Sequence, residues 1–408
     1  MNKYIIILFS ILLSCDNHSS VKNEVARTFS TDSLKTFVYN DGDLIEVNIE
    51  KIETDIIADS IFYPDAHFVR LETNPECLIG HIDNVYFSND LIFVVDKRIT
   101  KSVFIYSIDG NFKSKIDNRG KGPGEYIDIQ DVDINHITKQ IAVLDGYSRK
   151  VNFYNFKGEF IESKDTAPLI LYALASIDSI NYIFDKGRYP DNNLISDVGQ
   201  YRIICSDLKA IFHKGITIEK SAMNLHHNTQ RQFWKFGEDI FFNKPFQDTI
   251  YRVSKDSIVA AYYLNLNGHN IPYKDKMDLT DNKVKDLTGK YAFLNGDFIE
   301  FEDFTYFEIF YPGSTQHVFY SKESGKVISG RDFVIFNPLL NFVGTPISRY
   351  KNNIFVVTVD ACFLKNLSWD SCPVKDQYPY LKSKFDSLVN GLTCEDNPTL
   401  MFYSLKKF

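Results

Sequence analysis

Short apolar runs follow one another along most of the chain, separated by Gly, Asn, Asp and Ser. Runs of about four to eight residues bounded by turn residues predict strands. Two stretches show that the pattern repeats. VFIYSIDGNF (103–112) and VNFYNFKGEF (151–160) share Val, Tyr, Gly and Phe in register, 48 residues apart. Each reads as a strand, a tight turn at Asp109-Gly110 or Lys157-Gly158, and the start of another strand, with Gly supplying the positive φ the turn needs. A matching strand lies upstream of each, LIFVVD (91–96) and QIAVLD (140–145). The unit is therefore four strands in about 40–50 residues, the size of a propeller blade.

Weaker copies follow. YIFD (182–185), YRIIC (201–205) and AIF (210–212) predict a third blade with a long inner loop at 186–199. Residues 239–242, 249–253 and 257–264 predict a fourth, and 298–310, 317–321 and 326–329 a fifth. Residues 333–337 and 354–359 predict a sixth. Residues 44–49 and 68–71 are strands without an assigned place. Between 378 and 392 the period changes: Leu381, Phe385, Leu388 and Leu392 share one helical face, with Pro379 near the start and Gly391 near the end. NPTLMFY (397–403) then returns to strand. A last strand pairing with the other end of the chain would close the ring and leave no bare edge there. The expected fold is all-β: a six-bladed β-propeller over residues 36–408, with one C-terminal helix inserted before the ring-closing strand.

The N-terminus has a different pattern. Lys3 precedes an apolar run, Tyr4 to Leu13, too short to span a bilayer and suited to a signal peptide. It ends in LLSC, which resembles the bacterial lipobox, so residues 1–14 read as a lipoprotein signal peptide and Cys15 as the lipidated first residue. Residues 15–35 are polar and read as a flexible tether. Loss of Lys3 takes the formal net charge from −8 to −9. That balance, without a long basic run, argues against a nucleic-acid partner. Of the other five cysteines, Cys362 and Cys372 are spaced to close a small disulfide loop.

Several stretches together resemble one family, the six-bladed β-propeller lipoproteins of Gram-negative bacteria related to NHL-repeat propellers. They are FVRLET (68–73), IGHI (79–82), GKGPGEY (120–126), PFQDTIYR (245–252) and EDNPTL (395–400). The resemblance implies fold and a lipid-anchored place in the cell envelope, on the periplasmic face or the outer-membrane surface. It implies no chemistry.

Tests for chemistry return little. NRGKGPGEY (118–126) has the glycines of a phosphate loop, but Lys121 lies between them, no Ser or Thr follows, and the residues after it alternate as a strand. Gly120, Gly122, Pro123 and Gly124 read as a structural connector between two blades. DVDIN (131–135) starts like a calcium loop but lacks the required Gly and Glu, so its acids read as the wet face of a strand. Asp297, Glu300 and Glu302 could form a hydrolytic carboxylate pair only at a fixed separation across a cleft. Asp96, Asp145 and Asp185 each end an equivalent strand and read as turn-capping residues. NLHHNTQRQFW (224–234) holds the best candidate ligand-binding residues, His226, His227, Arg231 and Trp234, where Arg and Trp suit a sugar or peptide. A solvated loop running into a strand is the competing reading. No metal site or cofactor is expected. The expected function is a membrane-anchored binding or scaffold module for a glycan, peptide or envelope protein. The alternative is a metal-dependent lyase or hydrolase at the channel mouth.

Overall fold

In the computed structural model the chain forms six antiparallel four-stranded blades around one axis, with extra strands on some outer edges. The structure describes residues 29–408 except 41, 51–52, 188–196, 219–230, 245, 277–285, 336, 341 and 373–374. Blade 1 comprises Asn84–Ser88, Leu91–Asp96, Ser102–Ser107 and Phe112–Ile116. Blade 2 comprises Asp131–Asn135, Gln140–Asp145, Lys150–Asn155 and Phe160–Asp165. The 48-residue repeat therefore superposes the third strands of the first two blades. Its turn glycine is needed for space as well as conformation: at Gly110, with φ +86°, a Cβ would lie 2.1 Å from the carbonyl oxygen of Arg70.

Blade 3 runs through Ala173–Ser176, Tyr182–Asp185, Tyr201–Ser206 and Ile211–Thr217, and blade 4 through Phe233–Phe236, Asp239–Phe242, Thr249–Val253 and Ser257–Asn265. Their first strands are four residues long, which hides them from a search for strand-length apolar runs. Blade 5 is Phe293–Glu300, Phe304–Tyr311, Ser314–Ser321 and Val327–Val334. Residues 333–337, read as part of the sixth blade, divide differently. Phe333 and Val334 finish the outer strand of blade 5, and the first strand of blade 6 is Ser348–Tyr350. The long blade 5 strand absorbs the apolar run, and a 3-10 turn at Pro338–Leu340 follows it.

Ring closure joins the two ends of the chain. In blade 6, Ile354–Val359 pairs with the C-terminal Thr399–Leu405, which pairs in turn with the N-terminal Phe62–Arg70. The segment before Phe62 then runs along the rim. Lys35–Thr36 adds in parallel to blade 3, Val38–Asn40 and Ile45–Asn48 to blade 4, and Glu53–Ile57 to blade 5. This belt satisfies backbone groups that an outer strand otherwise leaves open. It begins before residue 36: Phe29 is buried and Ser30 bridges to Ala210, so residues 29–35, read as the end of a tether, pack on blade 3.

The insertion in blade 6 carries the expected helix. A 3-10 turn at Pro379–Leu381 leads into the α-helix Lys382–Val389. Leu381, Phe385 and Leu388 are buried, each contributing about 1.5–3 kcal/mol. Arg70 donates to the carbonyls of Ser387, Leu388 and Asn390 at 2.6–2.8 Å, placing a cation at the helix C-terminus. The disulfide differs from the expected one. Cys362 bonds Cys394, and Cys372 is free. Cys362 lies on a short helix, Ala361–Lys365, which packs against Lys382–Val389. Tertiary packing thus brings the more distant Cys394 to Cys362 in place of the cysteine nearer in sequence.

Candidate functional site

The first strand of each blade lies against the axis, and successive first strands contact one another around much of the ring. Together they wall a central cavity of about 140 Å³. Every blade contributes: Tyr86 from blade 1, Asp133 from blade 2, Leu174 from blade 3, Lys235 from blade 4, Glu300 from blade 5 and Arg349 from blade 6. That volume is close to the ~150 Å³ of an engineered cavity that holds one benzene molecule.

The acids in the wall are already engaged. Asp131 accepts from Lys97 Nζ at 2.9 Å and from the Leu174 N–H at 3.1 Å. Asp133 accepts from Lys235 Nζ at 2.9 Å and from the Ser176 hydroxyl at 2.6 Å. Glu300 pairs with Lys322 at 2.6 Å and accepts from Tyr262 and Thr305. Burial holds the Glu300 carboxyl above its ordinary range, against the opposing pull of Lys322 and the hydroxyl donors. Asp131, Asp133 and Asn135 are all buried, so the acids of DVDIN do not form a solvated strand face. They turn towards the other blades around the axis and are paired there.

The donors are less completely engaged. The Arg231 guanidinium carbon lies 4.4 Å from the ring centroids of both Tyr86 and Trp234. Its Nε donates to Asn84 Oδ1 at 3.0 Å. Arg231 Nη2, Trp234 Nε1 and Asn84 Nδ2 are buried with no partner. Arg349 stands over Phe236 at 4.4 Å and bonds the Lys351 carbonyl, while its Nε has no partner. Burial lowers its affinity for its proton, with Glu300 opposing. His136 hydrogen-bonds Ser88 at 2.8 Å and is held towards the neutral form by burial and then by Lys235. Beside this group, burial pushes the Asp297 carboxyl up to about 7, with Glu308 adding to the rise and Arg231 opposing it.

Of the candidates read from the sequence, Arg231 and Trp234 line the cavity. His226, His227 and Cys15 lie outside the described residues. Asp297 and Glu300 share one strand but have separate surroundings: Glu300 is bound to Lys322, whereas Asp297 is coupled to Glu308. Among the described residues no three His, Cys, Asp or Glu side chains converge as a metal site would require. The connector 118–126 folds on itself. Glu125 accepts from the Gly122 N–H, and Tyr126 and Gly120 pair across the loop. Gly124, at φ +72°, has the Phe160 ring 2.6 Å from where a Cβ would sit. Asp96 accepts from the backbone N–H groups of Gly80, His81, Arg98, Ile99 and Thr100. Asp145 accepts from those of Ile127, Tyr147 and Ser148. Asp185 adds a bidentate pair with Arg202. Sequence reasoning missed Lys235 and Arg349, since single cations in short strands carry no motif.

The family model described as Domain of unknown function (DUF4934) matches residues 44–404, and the chain belongs to that family. None of the curated proteins matches it. A crystal structure of a protein from Bacteroides fragilis, assigned as exported, is similar over 89% of this chain and 100% of that one, at 21% identity and a TM-score of 0.70. A member of the DUF4221 family from Bacteroides vulgatus is similar over 84% of this chain and 98% of its own, at 9% identity and a TM-score of 0.47. An inactive virginiamycin B lyase from Staphylococcus aureus, solved with quinupristin, aligns over 72% and 81%, at 10% identity and a TM-score of 0.38.

Proposed function

We propose that this member of the DUF4934 family is an exported, lipid-anchored binding module that holds its ligand in the central cavity. Two observations support export: the apolar run of residues 4–13 ending in LLSC, and the likeness to a Bacteroides fragilis protein assigned as exported. Lipid on Cys15 would fix the protein to the periplasmic face or the outer-membrane surface. The ligand is a glycan, a peptide or a segment of an envelope protein.

The observation that carries the binding reading is a cavity walled by all six blades in which several buried donors have no partner. Unsatisfied buried donors cost about 1–3 kcal/mol each, and a ligand that supplies acceptors recovers that cost. Glycan and peptide arrays probed with the wild type and with Ser348→Phe, which places a ring in the cavity, test this. Binding by the wild type that the variant loses is expected. A ligand bound equally by both overturns the cavity as its site. Cys15→Ser should move the protein from the membrane to the soluble fraction, and unchanged partitioning removes the lipid anchor from the proposal. The alternative, a metal-dependent lyase or hydrolase at the channel mouth, is addressed directly by metal analysis of the purified protein.

A further inference from the structure

We propose that Arg231 and Trp234, with Asn84 bracing the Arg231 guanidinium, form a subsite for a carboxylate, and that the part of the ligand enclosed there is a carboxylate-bearing unit of about one six-membered ring. This rests on the reading of the central cavity as a binding site and adds the chemistry of the ligand.

The geometry makes the case. Arg231 sits two residues before the first strand of blade 4 and is 8% exposed. Two aromatic rings cover its guanidinium at 4.4 Å. A guanidinium stacked on rings bonds through its in-plane N–H groups, and Nη2 is the one left without a partner, free to donate to a carboxylate oxygen. Nε already donates to Asn84, which fixes the Asn84 amide: the oxygen faces Arg231, so its NH2 group points elsewhere and is unpartnered. Trp234 is 6% exposed, and its indole N–H is also unpartnered. Two donors on touching side chains that both line the cavity, Arg231 Nη2 and the Trp234 indole N–H, are thus left over at one buried cation.

Among the described residues the acids of the cavity wall are paired elsewhere. Asp131 is taken by Lys97, Asp133 by Lys235 and Glu300 by Lys322. Asp297 feels the charge of Arg231, but no ion pair within 4.0 Å joins them. An anionic ligand is therefore the group the cluster lacks. The cavity of about 140 Å³ sets the size of the part enclosed, one ring. Tyr86 and Trp234 also line the same space.

Titration calorimetry with glucuronate and benzoate as probes, and glucose and benzyl alcohol as their neutral counterparts, tests the proposal. Saturable binding of at least one carboxylate is expected, at least tenfold tighter than its neutral counterpart. Arg231→Gln should weaken that binding at least tenfold, the lower end expected for a lost charged hydrogen bond. Arg231→Lys, which keeps the charge but not the fork, should recover only part of it. Should Arg231→Gln fail to fold, Trp234→Phe keeps the packing, removes one donor, and is expected to weaken binding several-fold. Arg119→Gln, on the connector between blades 1 and 2, should change nothing. Failure of both carboxylates to bind overturns the proposal. So does equal binding of the neutral counterparts, or equal binding by the folded Arg231 variants. A glycan or peptide that Ser348→Phe excludes but Arg231→Gln still binds would overturn the carboxylate subsite and leave the cavity reading standing.

Discussion

At the scale of single residues, two buried groups, His317 and Asp297, are shifted in opposite directions. Burial lowers His317 to about 4 from an ordinary 6.5, while its Nδ1 bonds the Tyr306 hydroxyl at 2.8 Å. Its neutral form is favoured by folding, so that stability is present above 6.5 and is lost as pH falls towards 4, by up to about 3 kcal/mol. Asp297 behaves in the reverse way. Its folded value is raised from 3.8 to about 7, so its contribution is full below 3.8 and is lost as pH rises through 7, by up to about 4 kcal/mol. Urea midpoints across pH 4 to 9 should form a dome. Asp297→Asn should flatten its alkaline limb and His317→Gln its acid limb, and unchanged limbs would show that these groups do not control them. Asp133→Ala should cost about 3 kcal/mol, because it strands the Lys235 ammonium in a buried place. A loss under 1 kcal/mol in the same unfolding experiment would show that water replaces the pair.

At the scale of elements, the turn chemistry was legible and the pairing partners were not. Gly110 and Gly158 announce tight turns because few other residues take positive φ, and both do so. Asp96 at a strand end announces a cap, and six donors converge on it, five N–H groups and the Thr100 hydroxyl. The helix face of Leu381, Phe385 and Leu388 is equally plain in the sequence. The disulfide was not, because spacing along the chain says nothing of how the short helix at Ala361–Lys365 meets the turn after Lys382–Val389. Peptide mapping without reduction should recover a Cys362–Cys394 linked peptide and an alkylatable Cys372. A Cys362–Cys372 peptide would reinstate the local loop. Reduction should lower stability by about 3 kcal/mol if the bond restrains the unfolded chain as loop closure suggests.

At the scale of the whole molecule, the ring is held shut by strands from both ends and clasped by the N-terminal belt. The belt lies on the outer edges of blades 3, 4 and 5, and Phe62–Arg70 is the outer strand of blade 6. Deleting 397–408 removes the only described strand between Ile354–Val359 and Phe62–Arg70. Loss of the cooperative thermal transition is the expected result, and an unaltered melting temperature would refute this closure. Deleting 29–57 spares the closing pair but bares three outer edges. A folded protein that self-associates is expected in light scattering, and a monomer of unchanged stability would show that the belt is dispensable.

The sequence by itself determined the repeat, the blade size, the turns and the closing strand, because these depend on period, on glycine conformation and on local capping. Tertiary structure alone decided the belt, the disulfide partner and the cavity. Each of these joins residues far apart in the chain, as Asn84 joins Arg231 across 147 positions. Their meeting depends on how six blades curve round one axis, which no local pattern records.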